Sequence, residues 1–156
     1  MLTILINEKL TSRLISELNK SKRREIGGLL MGEHVSENVF RISNLTVQRE
    51  GGNRSYFVRR MENKVKEEIE FFFEEFNHNY KKYNYLGEWH SHPSFPLIPS
   101  KTDQSTMWEI VDDPVVGAFF SVLLIVKLDN GTLKGNVTAF VPGFPIFQGR
   151  LIEEKY

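Results

Sequence analysis

Residues 88–103 read Glu88-Trp89-His90-Ser91-His92-Pro93-Ser94-Phe95-Pro96-Leu97-Ile98-Pro99-Ser100-Lys101-Thr102-Asp103. In an extended strand, side chains two residues apart share a face, so His90 and His92 project together and two imidazoles can reach one ion. Prolines at 93, 96 and 99 forbid a regular element after the second histidine, and Pro93 to Pro99 is therefore a loop able to turn the chain back. A lone His-x-His pair is ordinary on an exposed strand. Here the loop can deliver Asp103 as a third donor and leave a fourth position for water, which is how catalytic zinc sites are built. Ser100-Lys101-Thr102-Asp103 also has the Ser-x-x-acid pattern of a helix N-cap. The two readings are compatible, because a helix start is a rigid place from which to aim a ligand.

Working outward, Tyr85 to His92 reads as the strand that carries the histidines, and Lys101 to Val111 as a helix. Val115 to Leu128 and Leu133 to Val141 form a strand pair closed by Asp129-Asn130-Gly131, a hairpin composition. Pro142 and Pro145 then break the pattern before the tail from Ile146 to Tyr156. At the other end, Met1 to Ile6 reads as a strand, and Asn7 caps a helix with Leu10, Leu14, Ile15 and Leu18 on one face. The polar run from Asn19 to Arg24 ends it. Ile26 to Met31, apolar but interrupted by Gly27 and Gly28 and followed by Gly32, reads as a buried strand. Val39 to Val47 is its antiparallel neighbour. The alternation there slips, with Phe40 and Ile42 on one face and Leu45 and Val47 on the other, which predicts a bulge near Asn44.

Arg49 to Ser55 is a loop by composition. Met61, Val65, Ile69, Phe72, Phe73, Phe76 and Tyr80 mark one stripe of a long amphipathic helix, with Glu62, Glu67, Glu70 and Glu74 off it. Such an aromatic stripe is core and not a cofactor pocket. The order of elements predicts an α/β fold: a single mixed, largely antiparallel sheet flanked by helices, in one domain over residues 1–156.

Composition narrows the function. The 156 residues carry 20 Lys+Arg against 20 Asp+Glu, so no whole-molecule basic field favours nucleic acid. The short basic runs Lys20 to Arg24 and Arg59-Arg60 read as solvated surface. With no cysteine in the sequence, any metal must be held by histidine and carboxylate. No stretch approaches the roughly 18 apolar residues of a membrane span, and the first residues lack a basic leader and a cleavage site. A cytoplasmic protein without membrane contact is expected.

These residues resemble the JAMM or MPN-domain metalloproteases, whose signature is a distant Glu, then His-x-His, seven residues, Ser, two residues and Asp. His90-Ser91-His92, the seven residues Pro93 to Pro99, Ser100 and Asp103 match it without a gap. Glu25-Ile26-Gly27-Gly28-Leu29-Leu30-Met31-Gly32 is similar to the element that carries the upstream Glu. The resemblance implies an MPN/JAMM-like, cytidine-deaminase-like fold, with Zn2+ held by His90, His92 and Asp103. It implies Glu25 as general base and Ser100 as donor to the developing oxyanion. It further implies hydrolysis of an amide or isopeptide bond after the C-terminal tail of a ubiquitin-like or conjugated protein, in a compact prokaryotic member. Some of that branch works in ubiquitin-like conjugation systems, including those of anti-phage defence. On the residues alone Glu88 rivals Glu25 as the base, since it shares a strand face with both histidines. A non-catalytic MPN-like binding scaffold and a metal-dependent amidase acting on a small molecule remain the competing readings, and oligomeric state is not legible.

Overall fold

The structure, a computed structural model, describes residues 1–49, 63–94, 96–114 and 118–155. Among them run β1 (Thr3–Asn7), α1 (Glu8–Ser21), β2 (Gly27–Ser36), β3 (Val39–Leu45), α2 (Asn63–Glu75), β4 (Tyr83–Ser91), α3 (Lys101–Asp112), β5 (Ser121–Asp129), β6 (Thr132–Phe140), β7 (Phe147–Gln148) and β8 (Arg150–Glu154). The strands make one mixed sheet in the order β7-β6-β5-β4-β2-β3-β1-β8. Pairing is antiparallel for β2–β3, β2–β4, β5–β6 and β6–β7, and parallel for β1–β3, β1–β8 and β4–β5.

The centre of the sheet is apolar on both faces because helices cover both. Along β5, Val122, Leu124 and Val126 pack with Leu10, Leu14 and Leu18 of α1 and with Trp89. Leu123 and Ile125 point the other way and pack with Met107, Ile110 and Val111 of α3 and with Phe140. The run from Ser121 to Val126 is thus buried throughout. Asn7 caps α1 as expected, its Oδ1 accepting from the Leu10 N–H at 2.8 Å. The β5–β6 hairpin turns at Asn130 and Gly131 with φ of 51° and 77°, the left-handed pair that a two-residue turn requires. The slip in β3 is a bulge: Met31 pairs with Asn44 and Gly32 with Ile42, leaving Ser43 as the extra residue.

Two expectations need correction. α2 ends at Glu75, so Tyr80 is not on it; Asn77 and His78 take left-handed φ of 53° and 54°, which stops a helix. Phe72 of the stripe is buried and Phe76 stacks on Tyr83 at 3.9 Å, whereas Met61, Glu62 and the side chain of Val65 lie outside the described residues. So do 50–55 of the expected loop, Arg59 and Arg60. β5 begins at Ser121 and not at Val115. Residues 118–120 are outside the sheet, with Phe119 91% exposed, so their apolar character does not extend the strand; 115–117 are not described.

The tail after Pro145 is β7 and β8, which pair with β6 and β1 on opposite edges of the sheet. Gly149 joins them: its N–H donates to Val137 O, and that of Arg150 to Leu2 O. The tail therefore curls the sheet round and covers both edges, which relieves exposed main-chain donors and acceptors. Arg41 fastens it by a two-armed ion pair to Glu154, at 2.7 and 3.1 Å, and a contact to Glu33. No helix among the described residues is long and apolar enough to cross a membrane.

Trp89, 1% exposed, donates its indole N–H to Thr46 O at 2.8 Å. Trp89→Phe should therefore destabilise the protein by about 1–3 kcal/mol for the carbonyl left without its donor, with a further contribution from the vacated volume. Urea denaturation should show a lower midpoint at unchanged slope.

Candidate metal centre

The site begins with how closely β2 approaches β4. Gly27 lies opposite His90, and a Cβ at Gly27 would fall 2.5 Å from Trp89 O and 3.0 Å from His90 Cβ. Only glycine lets the two strands meet there. One residue on, Ser91 and Ile26 are tied twice: the Ser91 N–H donates to Ile26 O at 2.9 Å, and Ser91 Oγ accepts from the Ile26 N–H at 3.0 Å. His92 lies just past the end of β4 yet stays in register, its N–H donating to Val126 O at 2.9 Å. Trp89 and Ser91 thus stitch the strand down while His90 and His92 emerge together on the α3 side.

Asp103 arrives as the sequence pattern predicts. Ser100 caps α3, its Oγ accepting from the Asp103 N–H at 3.0 Å, while Asp103 Oδ2 accepts from the Ser100 N–H at 2.8 Å. This reciprocal capping box fixes the carboxylate. His90 Nε2 and His92 Nε2 are 3.1 Å apart, and Asp103 Oδ2 lies 3.5 Å from the first and 3.7 Å from the second. Three donors on a tetrahedral zinc with bonds of about 2.0–2.2 Å would be about 3.3–3.6 Å apart, so the triangle has the size of a metal site. All three side chains are buried. His92 Nδ1 is 2.8 Å from Pro96 O; a carbonyl only accepts, so the ring proton is on Nδ1 and the Nε2 lone pair faces the triangle. Lone pairs held this close in a dry place repel unless a proton or a cation sits among them, and the donor set fits a divalent metal ion.

The electrostatics agree. Burial works against ionisation of Asp103, but the hydrogen bond and charge of His90 and the two Ser100 contacts outweigh it and hold the carboxyl well below the usual range. Glu88, on the same face of β4, has the opposite fate. Burial, reinforced by repulsion from Asp103, pushes it up to about 8. Tyr85, half-buried with its hydroxyl 3.2 Å from Ser121 Oγ, is also raised, first by desolvation and then by Glu88.

Over residues 7–138 the sequence matches the model for prokaryotic homologs of the JAB domain. The chain belongs to this family, the JAMM/MPN group. No curated protein matches it. Among solved structures it is similar to the solution structure of a Desulfitobacterium hafniense protein, with a TM-score of 0.62 and 16% identity over 98% of this chain and 94% of that one. At that identity the likeness shows the fold.

Within this JAB-family site the structure brings His90, His92 and Asp103 together, with Ser100 beside them as the cap. Glu25 is half-buried and immediately precedes Ile26. Carrying the Gly27–His90 register on by two residues sets it opposite His92. Glu88 is nearer the floor, where it lines a cavity of about 10 Å3 with His90, Asp103, Thr106, Met107 and Leu123. Two larger recesses, about 410 and 470 Å3, are lined by other residues.

Sequence patterns alone assign no part to Ser91, to the Pro96 carbonyl or to Asn136. The Asn136 amide donates to Leu97 O, and Gln148 in turn donates to Asn136 Oδ1, so β6 and β7 hold the loop that orients His92. Ser91 had a signal, since alternation turns a serine between the histidines into the apolar layer, where its hydroxyl needs a partner. Asn136 and Gln148 had none. Protein supplied with a divalent metal should hold about one ion per chain, as three donors at this spacing imply. Elemental analysis after desalting should find it in the wild type and not in His90→Ala/His92→Ala.

Proposed function

We propose that this JAB-family chain is a zinc-dependent peptidase or isopeptidase that hydrolyses an amide bond after the C-terminal tail of a ubiquitin-like or conjugated protein. The observation that carries the reading is the buried triangle of two imidazole nitrogens and a carboxylate oxygen, all within 4.8 Å of one another. A structural zinc site normally has four protein donors, whereas a catalytic one has three and an open position; only His90, His92 and Asp103 form such a group among the described residues. This favours catalysis over a scaffold that uses the fold alone.

In this reading His90, His92 and Asp103 hold the ion, which when bound lowers the pKa of water toward about 7 and polarises the scissile carbonyl. Glu25, at the mouth of the site opposite His92, takes the proton from the attacking water and returns it to the leaving amine. The Ser100 oxygen accepts from the Asp103 N–H while its hydroxyl hydrogen lies beside the Asp103 carboxylate; by turning from that carboxylate it can cap α3 and still donate to the carbonyl oxygen as negative charge grows there. Glu88 is less suited to the base, because Met107 and Leu123 wall its cavity.

The tail reading rests on the family resemblance and on the shape of the sheet. β4 is paired on both sides, by β2 and β5, and offers no edge to a peptide. β5 runs on past its last pairing with β4, at Ser91–Val126, through Lys127, Leu128 and Asp129. An extended tail laid along that stretch by main-chain hydrogen bonds would bring its last peptide bond up to His92, and small side chains would let it pass close. The setting in a conjugation system, including those of anti-phage defence, comes from the same resemblance.

Glu25→Ala should retain zinc and lose nearly all turnover, because the base touches water and not metal; zinc content alongside kinetics measures both. Loss of metal with loss of activity would make Glu25 structural instead. Offered fusions ending in Gly-Gly or Gly-Ala, the zinc-loaded enzyme should cleave after the tail, and it should spare the same partner with bulky residues there. Mass spectrometry reads the products. Equal cleavage would remove tail recognition, and cleavage of neither would favour a small-molecule amide as substrate.

A further inference from the structure

Glu88 is a buried acid at this site that the proposed reaction does not use. It lies two residues before His90, with both side chains lining one cavity, and is 6% exposed. Its Oε1 has no hydrogen-bond partner among the described residues. Burying a carboxyl oxygen with nothing to bond is unfavourable, and such a group in a native fold points to something the protein atoms do not supply. The cavity it shares with His90, Asp103 and Thr106 measures about 10 Å3, close to the space one water occupies. Glu88, His90, Asp103 and Thr106 line it together with Met107 and Leu123, so a water there would have polar partners.

The two histidines are held unequally. His92 donates Nδ1–H to Pro96 O, the arrangement that fixes a ligating imidazole. The polar contacts of His90 are all made at Nε2, and it has no other partner among the described residues. A histidine that binds metal through one nitrogen characteristically donates the other N–H to a carboxylate, a carbonyl or a water, which sets its tautomer and ring orientation. Of the two acids that share a cavity with His90, Asp103 lies at its Nε2, and Glu88 is the one left to serve as that acceptor.

We infer that Glu88 is the positioning residue of His90: through one water held in the shared cavity, its carboxyl oxygen accepts the Nδ1 proton of His90 and keeps the Nε2 lone pair turned toward the ion. The role rests on the metal-site reading above. It needs an acceptor oxygen and not a charge, so a glutamine amide can replace it. Glu88 is not a further ligand, since it falls outside the group of converging donor atoms.

The test uses the full chain, stripped of metal, with zinc affinity measured by competition against a chromophoric chelator and thermal melting followed in parallel. Glu88→Met, which keeps the length and removes the acceptor, should bind zinc about 10- to 100-fold more weakly, the usual effect of losing such a partner. Its metal-free form should melt no lower than the wild type, because an unpartnered buried carboxyl has been replaced by an apolar group. Glu88→Gln should bind zinc within a small factor of the wild type. Opposite movement of affinity and stability is what a merely structural residue would not give. Unchanged zinc affinity in Glu88→Met, or equal weakening in Glu88→Gln, overturns the proposal. Nitrogen-detected NMR of the zinc-bound wild type gives a check without any variant: His90 should carry a slowly exchanging proton on Nδ1, and a rapidly exchanging one overturns the role. If the wild type and His90→Ala/His92→Ala take up equal, negligible zinc, the metal-site reading itself fails, a result distinguishable from failure at Glu88.

Discussion

Asp103 Oδ2 accepts the Ser100 N–H at 2.8 Å and lies 3.5 and 3.7 Å from two imidazole nitrogens. One oxygen therefore both ends the first turn of α3 and forms the third corner of the candidate centre. The capping box is a local, four-residue arrangement that forms wherever that sequence starts a helix. What makes it a candidate metal donor is its placement beside the strand face that carries His90 and His92, which depends on α3 packing through Met107, Ile110 and Val111 on Leu123 and Ile125. Packing of an ordinary helix on an ordinary sheet is thereby converted into positioning, and the precision of the cap is passed to the carboxylate.

Much of this was legible because the informative features are local. His90 and His92 share a face by strand alternation, Ser100 and Asp103 by the geometry of a helix start, and Pro93, Pro96 and Pro99 require a loop between them. The bulge in β3 was likewise visible as a change of parity between Ile42 and Leu45. What was not legible is what long-range contacts decide. Nothing in Phe147-Gln148 or in Arg150 to Glu154 marks them as strands, since the first is two residues long and the second gains its partner, β1, from the far end of the chain. The end of α2 at Glu75 overrides an apolar stripe that continues in the sequence to Tyr80, because Asn77 and His78 can take the left-handed conformation and the chain needs to turn there to begin β4. The start of β5 was misplaced for a related reason: Ala118 to Phe120 are apolar in sequence, but they lie before the sheet.

The two acids on the α3 face of β4 illustrate how environment separates identical chemistry. Asp103 is buried yet held ionised by donors that were placed for it, namely Ser100 and His90. Glu88 is buried without such donors and carries the repulsion of Asp103 besides. Two nearby carboxyls whose affinities for protons are driven apart is a pattern of functional sites. Here it also distinguishes a donor suited to a cation from a group better suited to accept or share a hydrogen bond.

The tail that looked featureless in sequence completes the argument about position. Gln148 donates to Asn136, Asn136 donates to Leu97 O, and the neighbouring Pro96 O takes the His92 ring proton. A chain of hydrogen bonds thus runs from β7 through β6 to the loop after the second histidine. Prolines at 93, 96 and 99 restrict that loop in φ but cannot by themselves fix where its carbonyls point, since ψ remains free. The side-chain amide of Asn136 supplies the missing constraint at Leu97. The segment that closes the sheet's edges also holds the acceptor that sets the tautomer of His92, so closure of the fold and orientation of one nitrogen of the candidate centre are parts of the same hydrogen-bond chain.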